Sequence, residues 1–174
     1  MVTPLTHGKK FKLFVTSSVA PGNFLGAAIE AGLSQRDHEN LGFGQGTIGF
    51  RGRFGAALAD RASFNLLALY ALPSALKHEP RYVPQRTGRF KSRVWSAATS
   101  PFVTRRDSGG STFNTSVVLG AFSAAALSNV YYPESERGAI FTARSALLTI
   151  VSVAINNVAR EFWPDIKRKV LRRK

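Results

Sequence analysis

Four long stretches of this chain carry no charge, and clusters of basic residues fence them off. Residues 13–29, 62–76, 108–133 and 145–159 contain no Asp, Glu, Lys or Arg. A helix on the surface of a water-soluble domain carries charged or polar side chains along its outer face. A charge-free stretch of this length must instead be buried, packed on neighbours through small residues, or held at a membrane. None makes a convincing crossing, because a bilayer-spanning helix needs about 20 apolar residues. Pro21 and Gly22 break the first stretch, Pro73 interrupts the second, and Asn156 and Asn157 sit in the last. The best candidate, residues 116–132, is slightly short and only moderately apolar.

At 174 residues one compact domain is the natural expectation, with residues 1–166 as a helical domain and 167–174 as a basic C-terminal tail. The tail holds Lys167, Arg168, Lys169, Arg172, Arg173 and Lys174. Subtracting these six from the formal charge of +14 leaves +8, so the body is basic in its own right. Sixteen of the 24 basic residues are arginine, whose planar fork matches phosphate and carboxylate. An anionic membrane surface is the partner this favours, with nucleic acid as the alternative. Cysteine is absent, which rules out disulfides, thiolate chemistry and sulfur-ligated zinc. The first seven residues lack the charged head and apolar core of a secretory signal, which reads as a cytoplasmic or already processed chain.

Periodicity predicts an all-α domain of about five helices. Phe141, Leu148, Val151, Ile155, Val158 and Phe162 recur at helical spacing and are expected to face inward, with Trp163-Pro164 ending that helix. Beside them runs a stripe of Thr149, Ser152, Asn156 and Arg160, polar but mostly uncharged, as expected against a close second helix. A helix over 53–76 puts Phe54, Leu58, Ala62, Leu66 and Leu69 inside and Arg53, Asp60 and Arg61 outside, with Pro73 as a kink or end. Further helices are expected over 115–128, 9–17 and 23–34, and loops over 78–89 and 104–110.

The chemical motifs are weak. Gly44-Gln-Gly-Thr-Ile-Gly49 matches G-x-G-x-x-G but lacks the preceding strand and the acid about 20 residues on that dinucleotide binding requires. Glycines 46, 49, 52 and 55 read better as a bare stripe where a helix start meets another backbone. Phe50, Phe54, Phe90 and Trp95 among Arg51, Arg53, Arg89 and Arg93 are candidate base-stacking groups. His78, Glu79, Arg81 and Tyr82 bring acid–base groups together, and Arg105, Arg106 and Asp107 can grip an anion. An enzyme site there requires His78 within reach of a carboxylate, in a concavity shared with Arg105 or Arg106. The alternative is two structural turns. The three histidines are isolated, so no metal site is expected, and no cofactor is implied.

Several phrases, in order, resemble a family of small, uncharacterised bacterial proteins: Lys10-Phe-Lys-Leu-Phe14, Glu79-Pro-Arg-Tyr82, Ser128-Asn-Val-Tyr-Tyr-Pro133 and Glu161-Phe-Trp-Pro-Asp-Ile166. The resemblance covers nearly the whole chain and carries no activity or site residues. Many members have a secretory signal, so it implies the bacterial envelope. The expectation is a non-enzymatic protein held at an anionic membrane surface by its basic surface and tail.

Overall fold

The computed structural model describes residues 3–85 and 87–171, with side chains up to Arg168. It is mostly helical, as expected, with a small sheet in addition. Helix α1 (His7–Ser18) leads into α2 (Pro21–Arg36), then a single 3-10 turn (Leu41–Phe43). Helix α3 (Gly46–Asn65) runs through a π-helical segment (Leu66–Ala71) into α4 (Leu72–Leu76), forming one continuous rod. Helices α5 (Phe90–Thr99), α6 (Thr115–Ser128) and α7 (Ala139–Leu171) complete six rods among the described residues. The antiparallel sheet has the order β1 (His78–Glu79), β2 (Val103–Arg106), β3 (Ser111–Phe113). The regions expected to be loops therefore hold short strands, too brief for alternation to register. Helix α5 was not anticipated.

The helices pack in a chain, α2 on α3, α3 on α6, α6 on α7 and α7 on α5. They meet through small residues. Buried apolar side chains are nearly all alanine (27, 31, 56, 57, 68, 97, 121, 124, 125 and 146), joined by Ile150 and Tyr132. A Cβ on Gly120 of α6 would come within 3.1 Å of Ala68 Cβ, so only glycine permits this approach without a shift. A Cβ on Gly49 would run into the Gly44 carbonyl, and one on Gly52 would stand 2.7 Å from the Phe43 ring. Those two glycines do form a bare stripe at the start of α3, whereas Gly46 and Gly55 meet nothing.

Two inward faces are met only in part: Phe141, Val158 and Phe162 of α7 and Phe54, Leu58 and Leu69 of the α3–α4 rod are half-buried, and the rest of each stripe is exposed. In α7, Leu148, Val151 and Ile155 are exposed, and the buried positions are Ala146, Ile150, Asn157 and Glu161. In α3, Arg53 is buried with Ala56 and Ala57, while Ala62 and Leu66 are exposed. Reading large apolar residues as inward presumes water outside and side-chain packing inside. Here close backbone approach takes the inside, so the bulky residues are left outside.

Proline does not end α7 either. Pro164 lies within the helix, although it removes one N–H from the ladder. The carbonyl of Glu161, in the disturbed turn, accepts a hydrogen bond from Arg93 Nη2 at 2.9 Å. Pro73 is accommodated similarly, since the wider π-helical turn immediately precedes it. The helix carries on past residue 166, so Lys167 and Arg168 belong to its final turns.

Candidate functional site

The packed rods leave a cleft of about 1410 Å³ along one side of α7. One wall of it is the polar stripe foreseen in the sequence, Thr149, Ser152, Asn156 and Arg160, with Ser145. The stripe lines open space and does not meet a second helix, which corrects the expectation for it. α7 thus has three faces. One is packed on α6 and, further along, on α5, one is polar toward the cleft, and one is apolar and outward with Leu147, Val151 and Ile155.

Buried ionic groups hold the elements around this cleft. Glu161 is 0% exposed. Its Oε2 accepts from Tyr82 Oη at 2.8 Å and Gln85 N at 2.9 Å, and its Oε1 from Arg93 Nε at 2.7 Å. Burial, then the Glu161 contact, raises the Tyr82 phenol above its ordinary range, so it stays a donor. Arg93 also pairs with Asp165 at 2.8 Å and lies over the Phe162 ring. Asn157 Nδ2 donates to Ser100 Oγ at 2.8 Å, tying α7 to the end of α5. Arg53 donates to the carbonyls of Glu39, Asn40 and Gly44, pinning the loop before α3. Asp60 accepts from Tyr131 Oη at 2.6 Å and Tyr132 Oη at 2.8 Å. Burial raises its carboxyl above the usual Asp range, against the lowering effect of those two hydroxyls.

The loop pair singled out in the sequence is brought together and then divided. Pairing of β1 with β2 sets His78 opposite Arg106 and Glu79 opposite Arg105. Glu79, Arg81, Tyr82 and Arg105 line the cleft, whereas His78, Arg106 and Asp107 do not. Glu79 binds Arg81 Nε at 2.8 Å and accepts from Leu5 N, and this contact raises the Arg81 guanidinium further. Asp107 takes Lys10 Nζ at 2.7 Å, and the same ammonium donates to the Pro73 carbonyl.

The hydrogen-bond partner of His78 is no carboxylate. Its Nδ1 is 2.9 Å from Ser116 Oγ, and both residues are buried away from the cleft. Burial first, then Arg106, lowers the imidazole below its ordinary range, so the ring is neutral near pH 7. A serine beside a histidine can be a nucleophile and its base. This pair has no space in which a substrate could meet it, so the geometry required for an enzyme site at His78 is not met.

Of the proposed stacking groups, Arg53 and Arg93 are committed to internal bonds, and Phe50 stacks on Phe54 at 6.1 Å. Phe90 and Trp95 are exposed, the latter at 72%. In the tail, Lys167 is exposed and Arg168 binds Asp165 at 2.6 Å. Lys169 is within the helix, and Arg172, Arg173 and Lys174 lie outside the described residues. No group of metal-ligating side chains occurs among the described residues.

Sequence reasoning missed Glu161, Arg53 and Lys10 as interior residues. Only Arg53 carries a signal, a charge set in the glycine-rich run Gly49–Gly55, whereas Lys10 and Glu161 stand between charged and bulky neighbours. No protein-family model, curated protein or solved structure matches the chain.

Proposed function

We propose that this chain is a non-enzymatic helical protein that associates with an anionic membrane surface, seating outward apolar helix faces at the lipid boundary. The observation that carries this reading is α7. Its segment Ala139–Arg168 is apolar, with mean hydropathy 1.6 in its best window, yet only 11% of that window is buried. A core helix of a water-soluble protein with that hydropathy would be mostly buried. Outward Phe24, Leu25, Ile29, Leu119 and Leu127 repeat the pattern on α2 and α6.

The charge-free run 145–159 is about 22 Å long at 1.5 Å per residue, against about 30 Å of hydrocarbon. One face of it is also packed on α6. Both points favour a helix lying in the interface over one that crosses. Lys167 and the rest of the tail then reach headgroups, each basic residue adding about 1 kcal/mol. Placement in the bacterial envelope follows from the family resemblance.

Flotation with vesicles of phosphatidylglycerol and of phosphatidylcholine tests the reading. Binding to the anionic vesicles is expected, with weaker binding to neutral ones. The triple variant Leu147→Ser, Val151→Ser, Ile155→Ser should lose roughly 2–4 kcal/mol of partitioning, since these side chains are more than half exposed. A protein that stays with the soluble fraction at low salt overturns the proposal. Equal binding to both vesicle types overturns it as well, since the proposal requires an anionic surface.

A further inference from the structure

The charged groups of the cleft are sorted along its length. Arg144 and Arg160 both line it on α7, sixteen residues apart, which is about 24 Å of helix. Around the Arg144 end lie the acids Glu30, Glu39, Asp60 and Glu136, with Arg144 itself 3.7 Å from Glu39. At the Arg160 end the single acid on the lining is Glu79, already bound to Arg81 and Leu5 N.

Three contacts fix what stands beside Arg160. The adjacent Glu161 takes the hydroxyl of Tyr82, just beyond β1. Asn157, one turn earlier, binds Ser100 shortly before β2. The β1–β2 pairing then sets Arg105 opposite the occupied Glu79, and Ser111 of β3 faces Arg105 on its other side. Arg105 and Arg160 are both exposed, both line the cleft, and neither has an acidic partner among the described residues.

The other arginines on the cleft lining, Arg61, Arg81 and Arg144, each face a carboxylate. Away from the lining, Arg53 is spent on backbone carbonyls and Arg93 on a carboxylate. Two uncompensated guanidinium groups facing one concavity raise its positive potential, because walls of low dielectric focus the field. A phosphate group is the ligand that matches, for it takes forked N–H donors on more than one oxygen. The hydroxyl of Ser111 and the amide of Asn156 lie on the same lining and can complete its hydrogen bonds.

We propose that the sheet end of the cleft is a phosphate-binding site built on Arg105 and Arg160. The phosphate is either free or the headgroup of a lipid. This site stands independently of the membrane seat on the outer face of α7.

Isothermal titration of the full chain with inorganic phosphate, and with monomeric short-chain phosphatidic acid, tests it. Both should bind, and Arg105→Gln with Arg160→Gln should weaken binding by roughly tenfold or more per arginine. Arg144→Gln, at the acid-rich end, should stay within about twofold of the parent, since it removes no direct ligand contact. Stronger binding of the lipid identifies the headgroup as the source, and equal binding identifies free phosphate. In the unsubstituted protein, phosphate should protect Arg105 and Arg160 from phenylglyoxal, read by mass spectrometry, which keeps the test independent of folding of the variants. No binding of either ligand at millimolar concentration overturns the proposal, as does an equal loss in Arg144→Gln. Flotation of the same double variant separates the two ideas: phosphate binding can be lost while vesicle binding persists, and the reverse.

Discussion

Replacing Glu161 by alanine deprives the Tyr82 hydroxyl, the Gln85 amide and the Arg93 guanidinium of their acceptor in one step. These donors come from the segment after β1 and from α5, so the change loosens both from α7. Arg93 keeps Asp165 at 2.8 Å, which limits but does not cancel the loss, because its side chain is only 13% exposed. Breaking a buried pair by removing one partner costs about 3–5 kcal/mol. For a chain of this size each kcal/mol moves the melting temperature by roughly 2–4 °C, so the midpoint should fall by about 6–20 °C. Glu161→Gln keeps the shape and one acceptor oxygen and should lose less. Replacing both partners, Glu161→Leu with Arg93→Met, should recover only the part of the loss that comes from the orphaned guanidinium, since Tyr82 and Gln85 still lose their acceptor. Circular dichroism melts of the four proteins, run in one mild detergent, read this out. A shift of less than 2 °C in Glu161→Ala would refute the idea that buried charge pairs hold the fold. So would a double variant less stable than Glu161→Ala.

Two further outcomes follow from the geometry. Gly49→Ala should destabilise the chain by about 1–3 kcal/mol despite the better helix propensity of alanine. Its Cβ would strike the Gly44 carbonyl, which also accepts from Arg53, and a denaturant midpoint at or above the parent's would contradict the contact. His78 sets a pH dependence whose sign is fixed by its lowered folded pKa. Below about pH 6.5 the unfolded chain takes up a proton that the folded ring refuses. Stability should therefore be full above that pH and decline as pH falls through it. Denaturant midpoints from pH 8 to 5 should show a decline that His78→Gln flattens, and an equal slope in both proteins would assign it to other groups.

Every helix but α5 was legible in the sequence, and helix facing was legible only in part. The helices expected over 9–17, 23–34, 53–76 and 115–128 stand within α1, α2, the α3–α4 rod and α6, the first three of which start earlier than expected. The inward faces of α3 and α7 fell short together and for the same reason, with part of each stripe half-buried and the rest exposed. Periodicity locates a bulky apolar stripe, but which side of a helix is covered depends on what its neighbours offer. Here the neighbours offer Gly120, Ala121, Ala124 and Ala125, which admit a backbone and not a leucine. Pro164 looked like a stop because sequence cannot show Arg93 arriving from 68 residues away to bond the Glu161 carbonyl in the disturbed turn. The two candidate loops were rightly paired as neighbours, since β1 and β2 join them, but their chemistry was misread. Lys10 and Ser116 take up Asp107 and His78, and neither lies near them in sequence.

An interior made of alanine changes how temperature acts on the fold. Alanine gives up no rotamer freedom on burial, and it also hides little apolar surface from water. The heat-capacity increase on unfolding tracks that surface, so it should be smaller here than the roughly 12–15 cal/mol/K per residue of ordinary domains. The curve of stability against temperature is then shallow, with no pronounced optimum. What cohesion remains comes from bonds such as those of Glu161 and Arg53, and these strengthen as the surroundings lose water. For such a chain, a drier environment is the stabilising one.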